Sequence, residues 1–132
     1  MQIKRKVIDA IHAQAVEVAP IEACGFLVGL QGRIMRAHPM TNAEGREDHF
    51  SFDPKEHITA LKETREEGLE IIGVYHSHPA APARPSAEDI RLAYYPDVIY
   101  IIISLMDGVV TIKGFYIRDG IVEEEPLFIE ES

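Results

Sequence analysis

The sequence predicts a mixed α/β (α+β) domain with about three helices and a largely antiparallel sheet. Apolar residues near the amino terminus recur at helical spacing, short apolar segments are bounded by glycine or proline, and two Asp-Gly pairs mark tight turns. The 132 residues are 46% hydrophobic and 27% charged, which is typical of a soluble globular protein with one core. We therefore expect residues 1–132 to form a single domain.

The first helix is predicted from Ile3 to Val18, where apolar residues form one stripe of an amphipathic helix. Pro20 ends this helix because proline cannot continue the helical hydrogen-bond ladder. Cys24 to Leu30 is short, apolar and rich in glycine, and Arg33 to His38 is a second extended candidate across Gln31-Gly32. Together these two segments predict a β-hairpin.

The middle of the chain is predicted to contain a loop, a short strand and a second helix. Thr41 to Asp48 is polar and loop-like, and His49 to Asp53 alternates between polar and aromatic residues as a strand does. Asp53 suits the N-cap position of a helix that runs from Pro54 to Glu67 and ends at Gly68. Its charged composition indicates a solvated surface helix.

The second half of the chain is predicted to be mainly strands. Leu69 to Tyr75 is rich in β-branched residues and is followed by a proline-rich loop. The remaining elements are a helix that begins near Ser86 and stops before Pro96, a buried strand from Val98 to Leu105, a strand from Val109 to Arg118 after the turn Met106-Asp107-Gly108, and a final strand after the turn Asp119-Gly120.

The formal net charge of -9 disfavours nucleic acid as a partner, because phosphate binding needs clustered positive charge. The basic run Lys4-Arg5-Lys6 is interpreted as a solvated helix face without a function. The acidic tail from Glu123 onward is assigned no function, and keeping the protein soluble is its simplest interpretation. The oligomeric state stays open.

Cys24 is the only cysteine, so the sequence offers neither an intramolecular disulfide nor a cysteine-rich zinc site. The basic segment Met1 to Lys6 leads into an amphipathic stretch and not into the apolar core of a signal peptide. The longest strongly apolar run, Val98 to Leu105, is too short to span a bilayer. These observations predict a cytoplasmic protein without a membrane partner.

The most informative stretch is His76-Ser77-His78-Pro79, which follows the predicted strand Leu69 to Tyr75. Two histidines separated by one residue on an extended backbone project from the same face, so their imidazoles can converge on one ion. Neutral imidazole is a good zinc ligand, and a catalytic zinc site takes three protein ligands and leaves one position for water. A third ligand is needed, because His-x-His also occurs by chance.

The segment Ser86-Ala87-Glu88-Asp89 contains the candidate third ligand, Asp89, in the first turn of the next helix. Taken alone, the segment is better explained as a capping box, in which a serine hydroxyl and a downstream carboxylate satisfy the free amides of a helix start. Aspartate is shorter than the usual glutamate, and we expect it to reach back less well. Glu88 is the competing ligand, and its side chain should point about a quarter-turn away from that of Asp89.

Together these segments resemble the JAMM (MPN+) metalloprotease motif, which has His-x-His-Pro, then Ser-x-x-Asp, and an acidic residue far upstream. In that family the two histidines and the aspartate bind one zinc ion, and here these positions are His76, His78 and Asp89. The resemblance implies that Ser86 hydrogen-bonds at the reacting centre and that Glu22 activates the water. It covers nearly the whole chain and implies a minimal MPN/JAMM domain with a curved, cytidine-deaminase-like sheet.

Glu22 is chosen over the other upstream acids Glu17, Glu44 and Glu47. It immediately precedes the first predicted strand, and Glu-x-Cys-Gly followed by a glycine-bounded apolar strand is similar to how this family presents its glutamate. Cys24 is interpreted as a small buried core residue and not as a nucleophile or ligand.

The resemblance implies a zinc metallopeptidase in which Glu22 carries a proton from water to the leaving amine and Ser86 steadies the oxyanion. The chain most resembles short members that hydrolyse cysteine from the carboxyl end of a ubiquitin-like sulfur-carrier protein. Pro39 to Glu44 and Tyr75 to His78 lie where that subgroup has similar stretches. A Gly-Gly tail of the carrier could add as an extended strand to a sheet edge.

Two alternatives remain for the function: an isopeptidase that removes a ubiquitin-like modifier from lysine, and a non-catalytic MPN interaction module that retains zinc. Arg84 could contact either a substrate carboxylate or only solvent, and the solvent interpretation is favoured.

Overall fold

The computed structural model describes residues 1–45 and 50–131. Within these residues the chain forms three α-helices and eight strands. In chain order they are β1 (Gln2–Lys4), α1 (Arg5–Val18), β2 (Cys24–Leu30), β3 (Arg33–Met40), α2 (Pro54–Glu66), β4 (Glu70–His78), α3 (Ala87–Arg91), β5 (Ile99–Ser104), β6 (Thr111–Arg118), β7 (Ile121–Glu125) and β8 (Phe128–Glu130). The predicted mixed α/β class with three helices is confirmed.

The described strands form one sheet in the order β7-β6-β5-β4-β2-β3-β1-β8. The pairs β4 with β5, β1 with β3 and β1 with β8 are parallel, and the other neighbouring pairs are antiparallel. The two edge strands, β7 and β8, are joined by only Pro126 and Leu127. The sheet therefore curls until its two ends approach each other, which agrees with the predicted curved sheet.

Apolar side chains cover both faces of this sheet. On one face, α1 packs its buried stripe against a cluster that includes Leu27 and Ile101. On the other face, a second cluster includes Phe26, Val74 and Ile102. All residues of β5 are buried, because successive side chains of this strand point alternately into the two clusters. No helix in the described part of the chain combines the length and apolar composition that a membrane span requires.

The predicted start of α2 is confirmed by its hydrogen bonds. Asp53 Oδ1 accepts hydrogen bonds from the amides of Lys55 at 2.7 Å and Glu56 at 3.4 Å. The predicted loop and strand before this helix fall partly on residues 46–49, which lie outside the described residues. In the described part, Asn42 and Phe52 form an isolated antiparallel bridge and not a strand.

The predicted start of the first helix and the predicted end of the third helix need correction. The first helix begins at Arg5 and not at Ile3, which lies on β1 and pairs with Ile34 of β3 and Ile129 of β8. Ile3 is fully buried in the cluster that α1 contacts, which explains why it continues the apolar spacing of the helix. The helix predicted to stop before Pro96 ends at Arg91.

The acidic tail, whose role the sequence left open, is part of the fold. Glu130 pairs with Arg33 at 2.9 Å, and Glu131 pairs with Arg5 at 2.9 Å. Exposed ion pairs of this kind contribute little individually. Backbone pairing therefore holds the tail to the sheet, because residues 123–125 pair with β6 and β8 pairs with β1.

Candidate metal centre

His76, His78 and Asp89 meet at one point beside the end of β4. His76 Nε2 lies 3.1 Å from His78 Nε2. Asp89 Oδ2 lies 3.2 Å from His76 Nε2 and 3.0 Å from His78 Nε2. The structure thus brings together the three residues that the sequence proposed as ligands, with two imidazole nitrogens and one carboxylate oxygen around a common centre.

The position of the two histidines follows from the pairing of β4 on both sides. His76 lies opposite Cys24 of β2 and Ile102 of β5. The extended backbone directs His76 and His78 to the same face of the sheet, and both side chains are buried. The pairing of β4 on both sides therefore holds the imidazoles where little solvent reaches them.

Asp89 reaches the histidines from the first turn of α3. The Asp89 amide donates a hydrogen bond to Ser86 Oγ at 3.0 Å, and the Ser86 amide donates one to Asp89 Oδ2 at 2.9 Å. These reciprocal bonds form a capping box. The expectation that aspartate would reach back less well is wrong. The capping and ligand interpretations are compatible, because the oxygen that caps the helix also faces the histidines.

Glu88 and Arg84, the two nearby residues whose roles the sequence left open, both lie apart from the converging side chains. Glu88, the competing ligand, forms an ion pair with Arg91 at 3.1 Å and is not part of the converging group. Arg84 is exposed and lines a separate cavity with Thr111 and Lys113. Its position agrees with the favoured solvent interpretation.

The two imidazole rings are oriented by different contacts. His78 Nδ1 donates to the Pro82 carbonyl oxygen at 2.8 Å, so its Nε2 presents a lone pair to the centre. His76 stacks on Phe50 with a centroid distance of 4.9 Å, and its Nδ1 has no hydrogen-bond partner among the described residues. The sequence did not indicate these contacts with Pro82 and Phe50, because both depend on how the loops fold back.

The grouped side chains also shift each other's protonation. Burial raises the pKa of the Asp89 carboxyl, but hydrogen bonds with His76 and His78 outweigh burial and hold that pKa well below its usual range. Burial lowers the pKa of His78, whereas its bonds to Asp89 and to the Pro82 carbonyl raise it, and the net direction is upward. Asp89 is therefore ionised at neutral pH, which is the form that binds a cation.

Glu22 lies two residues before the start of β2, and its side chain is buried. It lines a cavity of about 320 Å³ together with His78 and Ser86. The structure thus places both residues proposed for catalysis beside a proposed metal ligand. Of the rival upstream acids, Glu17 and Glu44 are exposed, and Glu47 lies outside the described residues.

A second cavity of about 300 Å³ adjoins the same centre and contacts His76 and Asp89. Its walls are mainly apolar and aromatic. The aromatic residues in its lining are Phe50, Phe52, Tyr94, Tyr95 and Tyr100. The sequence signal for this cavity is the adjacent pair Tyr94-Tyr95 before Pro96, although nothing in the sequence places it against the centre.

Cys24 is fully buried in the core, as predicted, and its Sγ donates to the Met40 carbonyl at 3.8 Å. Burial, together with the nearby charges of Glu22 and Glu56, raises the pKa of the thiol to about 12. Because the thiolate is the reactive form, this environment makes Cys24 inert at neutral pH.

We expect native protein to show no thiol labelling by a maleimide or disulfide reagent at about pH 8, and one thiol per chain after unfolding in guanidinium. The chromophore that the disulfide reagent releases, or the mass added by the maleimide, measures labelling in both states. Rapid labelling of the native protein would contradict the assignment of Cys24 to the core.

The residues of the centre fit a zinc ion. Two imidazoles and one carboxylate leave one coordination position open, which is the ligand pattern of catalytic zinc sites. The hydrogen bonds of His78 to Pro82 and of Asp89 to Ser86 supply the outer contacts that orient such ligands.

The curled sheet, with a His/His/Asp group beside a buried glutamate, defines a JAB1/MPN-type domain. The crystal structure of a JAB1/MPN domain protein from Archaeoglobus fulgidus is similar with a TM-score of 0.68 and 26% identity, covering 99% of this chain and 100% of that one. Residues 4–114 match the family model described as prokaryotic homologs of the JAB domain. The chain belongs to this family, which confirms the resemblance stated from the motif.

Individual relatives are similar over most of their length. CysO-cysteine peptidase from Mycobacterium tuberculosis is 35% identical, covering 98% of this chain and 91% of the relative. A probable TtuB-protein conjugate cleaving protease from Thermus thermophilus is 31% identical, covering 91% of this chain and 78% of the relative. The solution structure of a protein from Desulfitobacterium hafniense is similar with a TM-score of 0.91 and 40% identity, covering 99% of this chain and 93% of that one.

Proposed function

We propose that this protein is a zinc-dependent metallopeptidase that hydrolyses an amide bond at the carboxyl end of a ubiquitin-like sulfur-carrier protein, releasing cysteine and the free carrier. The observation that carries the proposal is the convergence of His76, His78 and Asp89 next to a cavity that Glu22 and Ser86 line. We further propose one zinc ion per chain, a single domain over residues 1–132 and a cytoplasmic location.

The residues around the cavity supply the steps of the reaction. Zinc held by the two histidines and Asp89 would polarise the substrate carbonyl and acidify a water molecule. Glu22 takes a proton from the attacking water and passes it to the leaving amine. Ser86 Oγ accepts a hydrogen bond from the Asp89 amide. Its own O–H stays free of that bond and donates to the developing oxyanion.

The shape of the cavity supports a tail that ends in Gly-Gly. Apart from Glu22, His78 and Ser86, its lining consists of small or cyclic residues, namely Pro20, Pro79, Ala80 and Ala81. Such walls leave room for a backbone without side chains to pass close to the proposed ligands. The similarity to CysO-cysteine peptidase supports a carrier with a terminal cysteine as substrate.

A panel of substrates tests the proposal. Zinc content is first measured by metal analysis. The protein is then incubated with a ubiquitin-like carrier extended by one cysteine after Gly-Gly, and with the same carrier joined through an isopeptide bond to lysine. Mass spectrometry should show loss of cysteine from the first substrate.

The alternatives predict different results in this panel. Preferential cleavage of the lysine conjugate would favour the isopeptidase, an activity class suggested by the name of the Thermus thermophilus relative. Absence of both zinc and turnover would favour the non-catalytic interaction module.

We expect Ser86→Ala to lower kcat by about 10²-fold, because it removes one oxyanion donor. The same change should lower the free energy of unfolding by about 1 kcal/mol through loss of the α3 cap. Turnover and urea denaturation measure the two effects.

Asp53→Ala is the matched control, since it removes the cap of α2 without touching the cavity. It should reproduce the loss of stability with kcat unchanged. Equal losses of kcat in Ser86→Ala and Asp53→Ala would show that the Ser86 hydroxyl takes no part in the reaction.

A further inference from the structure

The peptide that joins Glu22 to Ala23 is held at both of its polar ends by side chains from other parts of the chain. The Ala23 amide donates to Ser77 Oγ at 2.8 Å. The Glu22 carbonyl accepts a hydrogen bond from Asn42 Nδ2 at 3.1 Å. This peptide immediately follows the Glu22 α-carbon, so its orientation determines the direction in which the glutamate side chain leaves the backbone.

Ser77 lies between His76 and His78 on β4 and is fully buried. Its backbone amide also donates to the Ala23 carbonyl at 2.9 Å, so Ser77 contacts both polar groups of Ala23. Because neighbouring residues on a strand face opposite sides, the histidines turn toward the metal centre while Ser77 turns toward the segment that carries Glu22. One strand thus fixes both the ligands and the glutamate.

Asn42 is itself held in place by the loop that follows β3. Its Oδ1 accepts hydrogen bonds from the amides of Glu44 at 3.0 Å, Gly45 at 3.3 Å and Ser51 at 3.4 Å. With the oxygen engaged by this loop, the amide nitrogen is directed at the Glu22 carbonyl.

We propose that Ser77 and Asn42 are positioning residues that hold Glu22 in register with the metal centre. The proposal rests on the proposed role of Glu22 as general base. A proton-transfer group must lie within hydrogen-bond reach of the attacking water, and displacement of a reacting group by about 1 Å can cost about 10²-fold in rate. The two hydrogen bonds to one peptide prevent that displacement without contacting substrate.

Ser77→Ala and Asn42→Asp test the two contacts separately. Aspartate keeps the oxygen that the loop amides use but cannot donate to the Glu22 carbonyl. We expect each variant to lower kcat by about 10- to 10²-fold, with KM changed less than about threefold, because substrate contacts stay intact. Ser77→Thr retains the hydroxyl and should recover most of the kcat.

Metal binding and stability are measured in the same variants. Zinc affinity, from competition with a chromogenic chelator, should equal that of the wild type, because the hydrogen bonds described for these side chains go to Ala23, to the Glu22 carbonyl and to loop amides. Thr64→Val controls for loss of a buried hydroxyl, since Thr64 lies on α2 and its Oγ1 has no partner among the described residues. We expect this control to keep the wild-type kcat.

The outcomes separate the two proposals. If wild-type protein cleaves no carrier, or if Glu22→Gln cleaves at the wild-type rate, the proposed function fails. If Glu22→Gln is inactive while Ser77→Ala and Asn42→Asp keep the wild-type kcat, the positioning role alone fails. A loss of zinc affinity parallel to the loss of kcat would also overturn positioning. If Ser77→Ala does not fold, Asn42→Asp decides the result, because wild-type kcat in that variant would contradict the positioning of the Glu22 peptide.

Discussion

Glu22→Gln should lower the kcat of carrier cleavage by about 10²- to 10⁴-fold, the range that general acid and base catalysis contributes. Glutamine has nearly the same shape as glutamate but cannot accept the proton of the attacking water. The buried position of Glu22 beside His78 and Ser86 should tolerate this isosteric change. Initial rates with the cysteine-extended carrier, at substrate concentrations above KM, measure the effect.

Glu17→Gln provides the control, because Glu17 is an exposed acid on α1. It should cleave at the wild-type rate. Zinc content and melting temperature should match the wild type in both variants, so that a loss of rate in Glu22→Gln reports proton transfer. Cleavage by Glu22→Gln at more than about a tenth of the wild-type rate would show that Glu22 is not the general base.

Asp89→Asn and His78→Ala should each abolish stoichiometric zinc binding and reduce cleavage to background. Each removes one of three ligands, and a site with two neutral histidines or with one histidine and one carboxylate holds zinc weakly. Zinc at about a hundred times its Kd stabilises a folded protein by about 2.7 kcal/mol, so the wild-type melting temperature should rise on zinc addition. Both variants should lack that rise.

The two variants differ in what they do to the metal-free protein. Asp89→Asn weakens the capping box, because the amide that replaces the carboxylate is a poorer acceptor for the Ser86 N–H. His78→Ala leaves the bonds between Ser86 and Asp89 in place. We therefore expect amide hydrogen exchange in the first turn of α3 to be faster in metal-free Asp89→Asn than in metal-free His78→Ala.

Glu88→Gln is the control for both variants, since Glu88 is next to Asp89 in sequence but pairs with Arg91. It should bind zinc and cleave the carrier as the wild type does. Retention of one zinc per chain by Asp89→Asn would exclude Asp89 as a ligand. Removal of zinc by a chelator should abolish wild-type activity, and added zinc should restore it.

Several elements could be predicted from sequence because their signals are local. Asp53 marks the start of α2 by accepting hydrogen bonds from amides two and three residues further on, and Pro54 suits the first helical position. The alternation of an extended strand is enough to place His76 and His78 on one face. Ser86 and Asp89 are three residues apart, so their capping box is also a local feature. The motif that these residues form was therefore readable without a structure.

Other features depend on which distant segments pair. Ile3 fits the apolar spacing of α1, yet it forms a strand because β3 and β8 offer backbone partners on both sides. The segment that forms β8 has no local signal for pairing, and its place beside β1 follows from the curl of the sheet. Periodicity records which residues are buried, but not whether a helix or a neighbouring strand buries them.

The sequence by itself determined the proposed ligands and the type of chemistry they suit, because residue types at fixed short spacing carry that information. The resemblance chose Glu22 over Glu17 and Glu44, and the tertiary structure shows that Glu22 lines one cavity with His78. It also showed how Ser77 holds the peptide after Glu22. These contacts join residues more than fifty positions apart, and the pairing of β2 with β4 creates them, which no short-range pattern encodes.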